Sequence, residues 1–72
     1  MTKDEFFTEI QDVLQRDDPV KAGDVLADYD EWDSLSKMAI MAFFDKNFGI
    51  KVSLNEIGEL KNVDDLVKLA KL

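Results

Sequence analysis

No stretch of this sequence alternates apolar and polar residues with period two; its apolar residues recur three and four positions apart. That spacing lays them along one face of a helix and leaves little else for the chain to become. Thr2 and Glu5 match a capping box, and Phe6, Ile10, Val13 and Leu14 follow at helical spacing, which predicts a helix over about 3–15. It should stop near "RDDP", because Pro19 disfavours helical geometry at Asp18. A second helix is expected from Asp33 or Ser34 to about Asn47, with Gly49 as its stop. Ser53 with Glu56 forms another capping box and opens a short helix through Leu60. Val63, Leu66, Val67 and Ala70 then stand at i, i+3, i+4 and i+7, predicting a last helix over about 63–71. The expected fold is all-α, a small four-helix bundle with three main helices and one short one. At 72 residues the chain is one domain, 1–72, of a size that buries only about 60% of its unfolded surface.

Between the first two helices, residues 17–33 hold Pro19, Gly23 and seven acids. So long a connection exceeds the usual median of about 4–6 residues, which points to a functional loop or a concealed short helix. Val25, Leu26, Tyr29 and Trp32 are the residues available to pin it to the core. The helix that follows carries more apolar surface than one core needs. At about 100° per residue, Ile40, Met41, Phe44 and Phe48 share one face, the expected core face. Leu35, Met38 and Ala42 share another, on the side of Ser34, and are read as a partly exposed contact stripe.

Charge and the missing residue types narrow the function. The chain has no Cys and no His, so disulfides, thiolate metal sites and most nucleophile–base pairs are excluded. A net charge of −7 with no basic stripe argues against nucleic-acid binding. Residues 1–36 hold eleven acids and three bases, whereas 37–72 hold five acids and six bases. The acidity therefore precedes and surrounds Ser34, a field suited to a partner with a basic docking surface. No apolar run reaches the roughly 18 residues a membrane span needs, and "MTKDEFF" lacks a signal-peptide pattern. A soluble, cytoplasmic monomer without membrane insertion is expected.

Within "EWDSLSKMAIMAFF", Ser34 is a hydroxyl at a helix start with no internal base to activate it. A helix N-terminus favours phosphate, and the long loop before it gives another enzyme access. These features suit a serine that is modified by a partner; the simpler alternative is that Asp33 or Ser34 only caps the helix. The run "DSLSKMAIMAFFDKNFGIKV" resembles the acyl carrier protein family, whose signature is Asp-Ser-Leu at the start of the second helix. The resemblance extends over nearly the whole chain. It implies that Ser34 carries 4′-phosphopantetheine, transferred from coenzyme A by a magnesium-dependent phosphopantetheinyl transferase. Asp33 would match the residue that places the serine and the metal in that transfer. Leu35 and Met38 would match partner contacts, with Ala42 and the acidic Asp45 beside them. A cargo-loading ligase or transferase and a downstream acceptor enzyme are then the expected partners, and the chain itself is not an enzyme. Where the family commonly has Gly before the Asp, this chain has Trp32, whose simplest role is to anchor the loop. Where the family offers several acids along the second helix, this chain has Ser36, Ala39 and Lys46, with Lys37 alongside. That difference points to a specialised carrier with its own loading enzyme rather than general fatty-acid synthesis.

The alternative reading is a non-covalent helical adaptor that binds a partner through Leu35, Met38 and Ala42. A calcium loop in "DYDEWD" fails on spacing, since position 6 from Asp28 is Asp33 rather than Gly and position 12 is Ala39 rather than Glu. Asp28, Asp30, Glu31 and Asp33 read as a solvated acidic loop rather than an acid–base pair.

Overall fold

In the computed structural model, which describes residues 1–72, the order is α1 (Lys3–Leu14), a 3-10 turn (Leu26–Asp28), α2 (Ser34–Phe48), α3 (Leu54–Glu59) and α4 (Val63–Leu69). The chain is an all-helical bundle of four α-helices, α3 the shortest at six residues. Its only extended pairing is an isolated bridge between Val25 and Asn62.

Every α-helix starts on a capping box. Thr2 and Glu5 make the first, their reciprocal bonds 3.1 and 2.8 Å long, and Ser53 with Glu56 opens α3. The other two boxes, Asp33 with Ser36 and Asn62 with Asp65, use shorter side chains at the third helical position. They lie outside the usual Ser/Thr-x-x-Glu/Gln pattern but satisfy the same orphan N–H groups. The helix ends are less uniform. α1 closes at Gln15 in the left-handed conformation (φ 57°, ψ 42°), with the Arg16 N–H donating to the Gln11 carbonyl. This cap, not Pro19, stops the helix, one residue before the expected end. α2 closes on Gly49 at φ 65°, where the missing Cβ removes the strain that Gln15 carries.

The core is fourteen buried hydrophobic residues drawn from every element. Phe6 of α1 meets Phe43 and Phe44 of α2, and Ile10, Leu14, Ile40, Ile57, Val63, Leu66 and Val67 belong to the same cluster. All five phenylalanines gather at one end, with ring centroids of neighbouring pairs 5.7–6.4 Å apart. Most meet at steep angles, the arrangement that aromatic quadrupoles favour. The α2 core face differs from expectation in detail. Ile40 and Phe44 are fully enclosed, but Met41 and Phe48 are half-buried and Phe43 is buried against Phe6 instead. The buried arc is shifted to include position 43, whose ring lies 6.0 Å from that of Phe6 on α1.

The long loop is pinned at several points. Val20, Leu26 and Tyr29 are buried, and Trp32 packs on the core half-buried. Val25, expected to help, is instead 46% exposed. Its backbone explains why: the neighbouring Leu26 N–H donates to the Lys61 carbonyl at 3.0 Å, and the Val63 N–H donates to the Asp24 carbonyl at 2.9 Å. These bonds and the Val25–Asn62 bridge stitch the loop to the α3–α4 turn and send the Val25 side chain outward. No helix is long and apolar enough to cross a membrane.

Candidate functional site

The site begins with a division of labour between two adjacent residues. Asp33 is the N-cap of α2: its Oδ1 accepts from the Ser36 N–H at 2.9 Å, and its own N–H donates to Ser36 Oγ at 3.0 Å. Ser34, one residue on, is the first helical residue; it is exposed, and its hydroxyl makes no hydrogen bond within the chain. The fixed start of a rigid helix therefore presents a hydroxyl that has no structural task. Asp33 also changes the local electrostatics. The backbone N–H of Ser36, together with the Ser36 hydroxyl and the Leu35 N–H, holds its carboxyl below the usual Asp range. The Ser36 N–H of the helix N-terminus is thus taken by the chain's own carboxylate, which sets a negative charge at that end.

A lowered folded-state pKa contributes stability that is present above the ordinary Asp value and is lost as pH falls through the lowered one. In an NMR-monitored acid titration, the Asp33 carboxyl of the folded protein should titrate below the same residue in a peptide of residues 29–38. Equal midpoints would show that the cap does not form.

The approach to Ser34 is fixed by a clasp between residues distant in sequence. Arg16, just past α1, reaches Glu31 at 2.8 Å and lies with its guanidinium carbon 3.7 Å from the centre of the Tyr29 ring. The Tyr29 hydroxyl donates to Asp24 at 2.8 Å. Burial, aided by that bond to Asp24, pushes the Tyr29 hydroxyl up to about 12, so it stays a neutral donor at physiological pH. The Glu31 carbonyl accepts from Ser36 Oγ, which closes the line from α1 to the α2 cap. Arg16 is only 13% exposed, and its Nε has no partner. Arg16→Ala should cost about 1–3 kcal/mol, since it removes both a charge-assisted bond and a stacked cation. Amide exchange over residues 29–36 should quicken more than in α4; uniform acceleration would mean that the clasp does not act locally.

The expected contact stripe divides into two patches. Leu35, 74% exposed, stands over a cleft of about 320 Å³ between α1 and α2 with Val13, Ala39 and the carboxylates of Glu31 and Asp33. Met38, 50% exposed, shares a separate depression with Met41, Ala42, Asp45 and Val52. Asp45 there pairs with Lys51 at 3.4 Å, an exposed contact of little energetic weight. A third concavity, bordered by Trp32, Lys37 and Lys61, lies between the loop, the first turns of α2 and the α3–α4 turn. The sequence pattern did not indicate it, although an unusual Trp32 and an isolated Lys37 were its visible traces. The loop acids are not gathered, and no group of three or more Asp or Glu is placed to hold a metal ion.

Comparison with family models, curated proteins and solved structures finds no match to this chain.

Proposed function

We propose that this protein is a carrier that holds carboxylic-acid cargo as a thioester on a 4′-phosphopantetheine arm attached to Ser34. The observation that carries the reading is the free, exposed Ser34 hydroxyl at the first position of α2, beside a neighbour that already does the capping. The Asp-Ser-Leu resemblance supplies the chemistry. In the transfer, Ser34 Oγ forms a bond to the phosphorus next to the pantetheine of coenzyme A. The pyrophosphate bond breaks, adenosine 3′,5′-bisphosphate leaves, and the transferase takes the serine proton. The attached arm supplies the thiol that a chain without Cys lacks. A tether also raises the effective concentration of cargo at each docked enzyme. The partners would be the transferase, a loading ligase or transferase and an acceptor enzyme. Leu35 in its cleft and the Met38–Ala42 depression offer those enzymes apolar contacts.

Incubation with coenzyme A, magnesium and a broad-specificity transferase should add one phosphopantetheinyl group, read by intact mass. A chain that stays unmodified would instead support the adaptor reading, for which the exposed Leu35 and Met38 are the specific observation.

The charge on α2 bears on which enzymes are served. Outside its core face, α2 offers Lys37, Ala39 and Lys46, and Asp45 is its only acid. Basic surfaces on general fatty-acid enzymes would meet like charge there, which slows encounter most at low salt. The modified protein should therefore be a poor substrate for a general fatty-acid ketosynthase. Lys37→Glu with Ala39→Glu should raise elongation more at low than at high salt. Efficient elongation on the wild type, unchanged by the substitutions, would return the protein to an ordinary fatty-acid role.

A further inference from the structure

The largest concavity of the molecule is a groove of about 530 Å³, within the range of sites that hold small molecules. One wall is the loop, with Val25 and Trp32; the opposite wall is the end of α3 and the turn after it, with Glu59, Leu60 and Lys61. Lys37 of α2 borders it. The two walls are joined by the Leu26–Lys61 and Asp24–Val63 backbone bonds, so the groove is built in rather than formed by a moving segment.

Lys37 is the informative residue. In a chain of net charge −7 it is half-buried, takes part in neither ion pair of the structure, and has its ammonium 5.7 Å from the centre of the Trp32 ring. It stands three residues after Ser34 on α2, a separation that places two side chains on the same side of a helix, about 5–6 Å apart at Cβ. An anion attached to Ser34 shares the first turn of α2 with Asp33, which takes the Ser36 N–H and adds a negative charge of its own. Lys37 is the cation that remains beside it. Farther along the groove, Val25 and Leu60 are apolar and Lys61 offsets Glu59.

We infer that this groove is the resting berth of the group carried on Ser34, with Lys37 paired to its phosphodiester and Trp32 covering the adjoining methyl-bearing part of the arm. The inference rests on the carrier reading and adds a bound state to it. The charge fits a phosphodiester, and the apolar Val25 and Leu60 beyond Lys37 fit the geminal methyl groups of pantetheine. The arm is held against the protein between encounters, and a partner must draw it off Trp32 to reach the thiol.

Trp32 is the only tryptophan, so its indole N–H gives a single resonance. The test uses isotope-labelled protein carrying an unlabelled arm, with the mass of each sample recorded. Modification should shift the Trp32 indole cross-peak and produce nuclear Overhauser contacts between its ring and the geminal methyls. Lys37→Met should lose both, while Lys37→Arg should keep them; unchanged cross-peaks in α4 certify that each variant is folded. Added mass without contacts to Trp32, or contacts undiminished in Lys37→Met, would overturn the berth alone. Absence of added mass would overturn the carrier reading and the berth with it.

Discussion

Ser34→Ala should abolish gain of the phosphopantetheinyl mass while leaving the thermal stability of the protein unchanged or slightly higher. Its hydroxyl makes no hydrogen bond, so none is lost, and alanine is the better helix former by a few tenths of a kcal/mol. Ser36→Ala should show the opposite pattern. Ser36 Oγ accepts from Asp33 and donates to the Glu31 carbonyl, so its removal should cost about 1 kcal/mol. Modification should nevertheless go to completion, at a lower rate because the serine is presented by a looser turn. The pair separates the modified hydroxyl from the supporting one by opposite effects on mass and melting. Mass gain persisting in Ser34→Ala would sink the assignment.

Phe44→Ala should damage the fold severely, costing roughly 3–5 kcal/mol. The ring is fully enclosed and touches three others, Phe6, Phe43 and Phe48, at centroid distances of 5.7–6.1 Å. A domain of this length has total stability of only several kcal/mol, at about 0.05–0.15 kcal/mol per residue. Each kcal/mol lost lowers the melting temperature by about 4–8 °C, so the variant should be close to unfolded at physiological temperature. Met38→Ala, six residues earlier on the same helix, should cost within about 1 kcal/mol, because half of Met38 already faces solvent. It should instead slow loading of cargo by the partner enzyme. Calorimetry on the two variants checks the contrast. Equal destabilisation would place Met38 in the core and remove it from the contact surface.

What could be read from the sequence was whatever a few neighbouring residues determine. The Thr2/Glu5 and Ser53/Glu56 boxes, the Gly49 stop and the start of α2 at Asp33–Ser34 all depend on spacings of three or four residues. The concealed helical turn at Leu26–Asp28 was foreseeable from the length of the loop. Long-range features were not legible. Arg16 and Glu31 are fifteen positions apart, and nothing in either's neighbourhood marks them as a pair. Val25 looks like a core residue until the backbone of Asp24 and Leu26 is engaged by Val63 and Lys61. The left-handed Gln15 was hidden for a different reason: glycine is the usual sign of such a cap, and here a glutamine bears the strain. Within the candidate site, Ser34 and Asp33 were apparent from the motif. That Asp33 alone takes the cap, and that Leu35 and Met38 occupy separate hollows, depends on how the folded helices pack.

The four capping boxes bear on how the chain reaches its fold. Each lies within four consecutive residues, so each helix start can be chosen before any distant contact exists. The usual obstacle to a short helix is nucleation, and a box that satisfies two orphan donors lowers it where it matters. Segments as short as α3 and α4 would rarely persist alone, yet they can form repeatedly in the same register until the phenylalanines meet. Assembly of local pieces is the regime in which small helical proteins fold within about microseconds to milliseconds. A protein built this way can have its surface rewritten, α2 included, without losing the instructions that tell each helix where to begin.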